Sequence, residues 1–225
     1  NPNRLRIENI HTELSVTAFT PDSLDVEVKR LSAREQSGPE LRNLTFRARG
    51  SHKGVDIQDL EIGLPESHLK IEKIALKAGS LQDILSFSPS LSVSLPLYDA
   101  EIALNDLRAL LPGFRGSTEK IKINALISGK LSNLKAQNLS ISYGSTVRMK
   151  ASVEINGLPN LEESFIYAKV DNLQASHTEV QDLIARIQNR PFVLPEEMRR
   201  LGLLSYQGNI TGFLSNLVAF GIVRT

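Results

Sequence analysis

The run Ile210-Thr211-Gly212-Phe213-Leu214-Ser215-Asn216-Leu217-Val218-Ala219-Phe220-Gly221-Ile222 aligns without gaps onto Ile127-Ser128-Gly129-Lys130-Leu131-Ser132-Asn133-Leu134-Lys135-Ala136-Gln137-Asn138-Leu139. The shared core is Gly-x-Leu-Ser-Asn-Leu, at Gly129 to Leu134 and again at Gly212 to Leu217. Ser and Asn favour turns, so each copy reads as strand, turn, strand. Consecutive identities with matched Gly and Ile mark a repeated unit. Repeated units of this kind build extended, stacked β architectures.

Upstream of the second copy, Leu194-Pro195-Glu196-Glu197-Met198-Arg199-Arg200-Leu201-Gly202 reads as a short helix over 195–201. Pro suits the first helical position, the glutamates suit the positive end of the dipole, and Gly suits the C′ position. The better helix is 178–188. Thr178-Glu179-Val180-Gln181 has capping-box spacing, and Val180, Leu183, Ile184 and Ile187 form one apolar stripe. Ser80 to Leu85 predicts one helical turn capped by Ser80, with Leu81, Ile84 and Leu85 on one face. Asn105 to Leu111 predicts another, stopped by Pro112-Gly113.

Almost everything else alternates with period two, the pattern of half-buried strands. Leu24, Val26 and Val28 alternate with Asp25, Glu27 and Lys29; Leu44, Phe46 and Ala48 with Thr45, Arg47 and Arg49. Leu91, Val93, Leu95 and Leu97 alternate with serines and Pro96, which predicts an edge strand or a strand end there. The clearest block is 121–155. Ile121, Ile123, Ala125 and Ile127 share one face, and Val147, Met149, Ala151, Val153 and Ile155 share another run of it. Lys, Ser, Arg and Glu occupy the positions between. Such alternation is a meander of antiparallel strands with one apolar and one solvated face.

The composition is that of a folded protein: 41% hydrophobic, 23% charged, net charge +1. With so little net charge and 5% aromatic residues, nothing points to nucleic acid. There is no cysteine, which excludes disulfides and thiol chemistry. No apolar run approaches a membrane span. Asn1-Pro2-Asn3-Arg4 is not a leader, and strand-like sequence at both termini reads as a segment of a longer protein. His11, His52, His68 and His177 have no metal-ligand spacing and read as solvated. No nucleophile elbow or phosphate-binding glycine loop occurs. The expectation is a protein with no catalytic residues, no metal and no cofactor: not an enzyme.

About fourteen strand-like runs and four short helices are expected, too few helices to cover one face of so much sheet. The expected fold is all-β with a few short helices, an antiparallel curled sheet with an aliphatic groove; the alternative is a β-sandwich with a closed core. Residues 1–112 and 113–225 form two parts of one continuous architecture, the second carrying the repeat and helices 178–188 and 195–201. An aliphatic lining suits an acyl chain and an ordinary core alike. Exposing acyl chain to water costs about 0.8 kcal/mol per CH₂, so two tails of about fifteen CH₂ would cost on the order of 24 kcal/mol. Lipid therefore travels only along an unbroken apolar floor, about 65–70 Å long for fourteen strands.

Leu194-Pro195, Leu201-Gly202, Tyr206-x-Gly208-x-Ile210-x-Gly212, Leu217 and Phe220-Gly221 resemble the TamB branch of the AsmA-like envelope proteins, in its Bacteroidetes-type form. The 178–187 helix and the Ile127–Val153 block resemble it too, so the likeness covers about the last half of the chain. It implies a β-taco, a long sheet curled into a U. It implies a periplasmic segment of a bridge-like phospholipid transporter between inner and outer membranes, inner-membrane anchored in the full-length protein. A BamA-like outer-membrane barrel is the implied partner of that protein. The candidate lipid floor is Ile121, Ile123, Ala125, Ile127, Val147, Met149, Ala151, Val153 and Ile155, tolerant of Ala151→Arg and Val153→Glu. Two other readings stand beside it: a chaperone or assembly module that offers sheet edges to outer-membrane strands, and a closed β-sandwich binding domain.

Overall fold

The computed structural model describes residues 7–20, 22–35, 40–51, 53–109, 111–194 and 202–224. The chain forms β1 (Ile7–Thr20), β2 (Ser23–Glu35), β3 (Glu40–Ser51), β4 (Gly54–Gly63), β5 (His68–Lys77) and α1 (Leu81–Leu85). Then come β6 (Ser92–Ala103), two 3-10 turns (Leu104–Ala109 and Pro112–Phe114), β7 (Lys120–Lys130), β8 (Asn133–Tyr143), β9 (Val147–Asn156) and β10 (Phe165–Ser176). α2 (His177–Gln188), β11 (Leu203–Phe213) and β12 (Asn216–Arg224) complete it. The helix expected over 195–201 lies outside the described residues.

All twelve strands belong to one antiparallel sheet in chain order, β1 to β12. It is a single curled open sheet, so the β-sandwich alternative fails: the described residues contain no second sheet. The chain exposes 13677 Å²; a compact monomer of 24.8 kDa exposes about 10,000 Å². The excess is what a one-layer fold presents to solvent. The boundary between residues 112 and 113 falls in the β6–β7 connection, and those strands pair from Ser92↔Lys130 to Ala103↔Lys120, so the sheet crosses it unbroken.

The strands run 9 to 14 residues. Their curl has a local cause. β2, β4, β6, β8 and β10 each carry an extra residue near the middle, seen as register shifts at Val28/Leu31, Thr45/Arg47, Leu97/Ala100, Ala136/Leu139 and Val170/Leu173. A bulge bends its strand and deepens the twist. Asp59, Asp99 and Asn138 occupy bulges with φ of 50°, 48° and 51°, a left-handed conformation that short Asx side chains tolerate. The bulge also re-phases the strand. In β8 the apolar face runs Leu134, Ala136, then Leu139, Ile141, Tyr143; without the extra residue the second half would point outward.

The two copies of Gly-x-Leu-Ser-Asn-Leu make the same hairpin. Lys130 pairs with Asn133 and Phe213 with Asn216, closing two-residue turns. Gly129 and Gly212 precede them with φ of 124° and 135°. A Cβ at either would press on the carbonyl oxygen of Asn133 or Asn216.

One rim of the sheet carries these turns and α1; the other carries the 3-10 turns and α2. Ser80 caps α1, its Oγ accepting from Asp83 N at 3.1 Å. Leu81 and Ile84 pack onto Leu24, Ala48, Val55 and Leu91. Leu85, expected beside them, instead projects outward at 60% exposure. α2 begins one residue earlier than expected and is capped by Ser176, not Thr178. Ser176 Oγ accepts from Glu179 N at 3.3 Å, and Ser176 N donates to Thr146 Oγ1 at 2.7 Å. The Glu179 carboxylate then reaches sideways to the β8–β9 turn, accepting from Ser145 N at 2.8 Å, Thr146 N at 3.0 Å and both hydroxyls.

Burial pushes the Glu179 carboxyl up, but the hydrogen bonds from Thr146 and Ser145 outweigh it and hold it below its ordinary value. A carboxyl depressed in the folded state stabilises above its unfolded pKa, and that contribution is lost as pH falls through the folded one. Wild type is therefore expected to exceed Glu179→Gln in denaturant midpoint at neutral pH. The gap should close progressively below about pH 4.5. A gap that is independent of pH would mean the charge plays no part in docking α2.

β5 and β6 pair only over Ala75–Lys77 and Ser92–Ser94, then diverge. Pro96 lies past that point, in the interior of the strand order and not at an edge or strand end, as was expected; it pairs with Leu126 of β7. With β5 already gone from the other side, its missing N–H costs nothing there. At the far rim the seam is tied again. Asp106 Oδ2 accepts from Ser67 Oγ at 2.6 Å and Glu66 N at 3.0 Å, while Ser67 Oγ accepts from Ala103 N at 2.8 Å.

Candidate binding groove

Residues directly opposite on neighbouring strands point to the same face, so the registers can be chained across the sheet. One row reads Phe19, Leu24, Gly50, Val55, Leu76, Val93, Gly129, Leu134, Ile155, Ile166, Gly212, Leu217. It crosses all twelve strands without a polar side chain. A second reads Leu95, Ile127, Ala136, Val153, Ala168, Ile210, Ala219. Eleven strand spacings give a floor about 53 Å long, shorter than the fourteen-strand expectation.

The opposite face is charged over most of its length. Asp25 faces Arg49 at 3.3 Å, Asp56 lies 2.8 Å from Lys73, Glu61 lies 2.7 Å from Lys70, and Glu101 lies 2.7 Å from Lys120. These pairs are exposed and contribute little energy each. What they do is fix which face is wet.

Among the described residues, helices cover the apolar face in two places. Under α1 lies the cluster of Leu24, Ala48, Val55, Ile84 and Leu91. Under α2 and the 3-10 turns lies the cluster of Leu104, Phe114, Tyr143, Val147 and Ala175, with Leu173, Val180, Leu183 and Ile187 packed on it. Tyr143 anchors α2. Its hydroxyl donates to Asp182 Oδ2 at 3.2 Å, which also accepts from Arg186 Nε at 2.7 Å. Burial, and then the Asp182 charge, push the phenol up to about 12. Beside it is a cavity of about 310 Å³ lined by polar groups that include Glu119, Thr178 and Glu179. Of its lining side chains, Glu179 ties α2 to the β8–β9 turn and Asp182 ties it to Tyr143.

The nine floor residues read from the sequence all fall on the apolar face. They are not equivalent. Val147 and Ile121 belong to the cluster beneath α2. Ala125 and Ala151 are buried at 3% and 2% exposure. Ile123, Ile127, Met149, Val153 and Ile155 are half-buried. Ala151 therefore does not suit a charge, contrary to the sequence expectation, whereas Val153 does. Sequence reasoning missed the matching positions on β10 and β11, Ile166, Ala168, Val170 and Ile210, whose alternation continues the same rows.

It also missed Tyr206. Its ring lies over the facing pair Gly208 and Gly221, in the space their side chains would fill. Its hydroxyl donates to Asn209 O at 3.0 Å and Phe220 O at 3.2 Å. His11 and His68 are exposed, but His177 is buried, with no hydrogen-bond partner at Nε2, against the expectation of solvated histidines; His52 lies outside the described residues. Among the described residues no group of His, Asp or Glu is arranged to hold a metal ion, and no helix is long and apolar enough to cross a membrane. Searches of protein-family models, curated proteins and solved structures return no match to this chain.

Proposed function

We propose that the apolar face is a lipid-conducting surface and that the chain is a non-catalytic, bridge-like segment that moves phospholipid along it. One observation carries the reading: an aliphatic row that crosses twelve strands in a sheet to which the described residues add no second layer. An ordinary core needs a second layer over such a face. Among the described residues, α1, α2 and the 3-10 turns are what lies on it. An acyl chain supplies the missing partner, at about 0.8 kcal/mol per CH₂ withdrawn from water. Smooth Ile, Leu, Val and Ala side chains suit tails that must slide, because no polar group along the row arrests them.

The resemblance to TamB-type AsmA-like proteins supports a periplasmic setting and a route between inner and outer membranes. A BamA-like barrel then belongs to the full-length protein as its outer-membrane partner.

The test is native mass spectrometry of the purified chain, followed by lipid extraction. Wild type should carry phospholipid. Val153→Glu, on the half-buried part of the floor, should keep its β-sheet circular dichroism and lower lipid occupancy by at least about tenfold, the equivalent of about 1.4 kcal/mol. A lipid-free wild type with a cooperative unfolding transition would sink the reading.

A further inference from the structure

The twelve strands make one sheet, but one of its ladders is short. Among the described residues, β5 and β6 pair at Ala75↔Ser94, Leu76↔Val93 and Lys77↔Ser92 and nowhere else, while every other neighbouring pair is laddered over most of its length. Ile74 back to His68 on β5, and Leu95 to Ala103 on β6, face each other with no ladder between them. Pro96 removes one donor from this stretch. Backbone groups without ladder partners need water, so the outer side of the seam stays wet. The inner side is shut by side chains: Ile71 and Ala100 are 8% and 6% exposed. The shut position is in register. β5 turns Ile74, Ile71 and Leu69 inward and β6 turns Leu95, Leu97 and Ala100 inward, so the two lips match residue for residue and reform without slipping.

The two ends of the seam are held differently. At the α1 rim the hold is backbone pairing and apolar packing. Leu81 and Ile84 of α1 pack with Leu24, Ala48 and Val55 on one side of the seam and Leu91 on the other, and Leu91 O accepts from Leu131 N at 2.9 Å. At the far rim the bonds that cross the seam, among the described residues, all use a side chain. Asp106 Oδ2 holds Ser67 Oγ and Glu66 N, Ser67 Oγ holds Ala103 N, and Asn105 Nδ2 donates to Glu66 Oε1 at 2.6 Å. The Asp106 side chain is 1% exposed. Its Oδ1 has no hydrogen bond, and the Arg108 guanidinium stands 3.9 Å off. A buried carboxylate with one oxygen unbonded is costly to keep, and opening the seam returns that oxygen to water. The far-rim tie thus works against its own desolvation and releases more readily than the braced rim at α1.

We propose that the β5–β6 seam is a hinge and that Asp106 is its latch. Strands β1–β5 and β6–β12 form two leaves that swing about the short ladder of Ala75–Lys77 with Ser92–Ser94. Glu66 and Ser67 travel with the first leaf, Ala103, Asn105 and Asp106 with the second, so release of the latch opens the seam from the far rim toward α1. Opening spreads the apolar face at one fixed place and leaves the ladders within each leaf as they are. The hinge stands whether or not that face carries lipid.

The chain has no cysteine, so introduced pairs take spin labels at chosen positions only. His68→Cys with Arg148→Cys puts two exposed labels at the far rim on opposite leaves, four strand spacings or about 19 Å apart. Lys77→Cys with Glu163→Cys puts two exposed labels across the seam at the α1 rim. Adding Asp106→Ala or Ser67→Ala should lengthen the far-rim distances measured by pulsed electron spin resonance. The open-to-closed ratio should rise by about tenfold, because closure then leaves Glu66 N or Ala103 N without its acceptor. Distances at the α1 rim and the circular dichroism should not change. Ser67→Ala keeps the carboxylate and serves if Asp106→Ala does not fold. Far-rim distances that stay put in every variant that folds overturn the proposal. So do distances at the α1 rim that lengthen as much as those at the far rim, because the whole sheet has then loosened and no hinge exists.

Discussion

Ala151→Arg is expected to lose about 3–5 kcal/mol of stability, the cost of an unpaired charge in a buried position. At about 2–4 °C per kcal/mol for a chain of this size, Tm falls by roughly 6–20 °C. Ala151 is 2% exposed, with Leu139 and Val170 opposite it on the two neighbouring strands, and Val170 is 1% exposed. Val153, two residues along the same face, is half-buried, and Val153→Glu is expected to change stability by no more than about 1 kcal/mol. Thermal melts followed by circular dichroism compare the two directly. Equal losses would make Val153 part of a sealed core and remove the open floor on which the proposed lipid transport rests.

Leu104→Ala is expected to cost about 2–5 kcal/mol, as buried leucines do when a cavity replaces them. Leu104 is 1% exposed and packs with Phe114, Tyr143, Val147 and Ala175, the cluster that ties the 3-10 turns, the β8–β9 hairpin and α2 to one rim. Leu85, on α1 at the other rim, is 60% exposed, and Leu85→Ala should stay within about 0.5 kcal/mol. Urea unfolding at equilibrium measures both. A Leu104 variant as stable as wild type would mean that the rim cluster rearranges around the gap or adds nothing to the sheet.

The strands were legible because one face is wet and the other dry, which imposes period two on the sequence. The repeated hairpin was legible for a steric reason: Gly129 and Gly212 sit where a Cβ would meet the turn. The bulges are written in the sequence as well, as a change of phase. In β10 the apolar residues fall on Ile166, Ala168 and Val170, then on Leu173 and Ala175, with Asp171 and Asn172 between. A change of phase from even to odd positions at an Asx pair marks an inserted residue. Local spacing puts the cap of α2 two residues late, because Thr178-x-x-Gln181 has the same spacing as Ser176-x-x-Glu179. What separates them is the β8–β9 turn some thirty residues away in sequence, which engages Glu179. Long-range facts of this kind lie beyond local pattern. So does the parting of β5 from β6, which made Pro96 harmless.

Because each strand pairs only with the strands before and after it in the chain, the sheet behaves as a ruler. Its length is an additive quantity, set by the number of hairpins and independent of which hairpins they are. Inserting or deleting one bulged hairpin at a boundary changes the span by about 10 Å and leaves the other pairings as they were. Evolution can therefore fit such a sheet to a gap of given width by counting units, with no redesign of a central core.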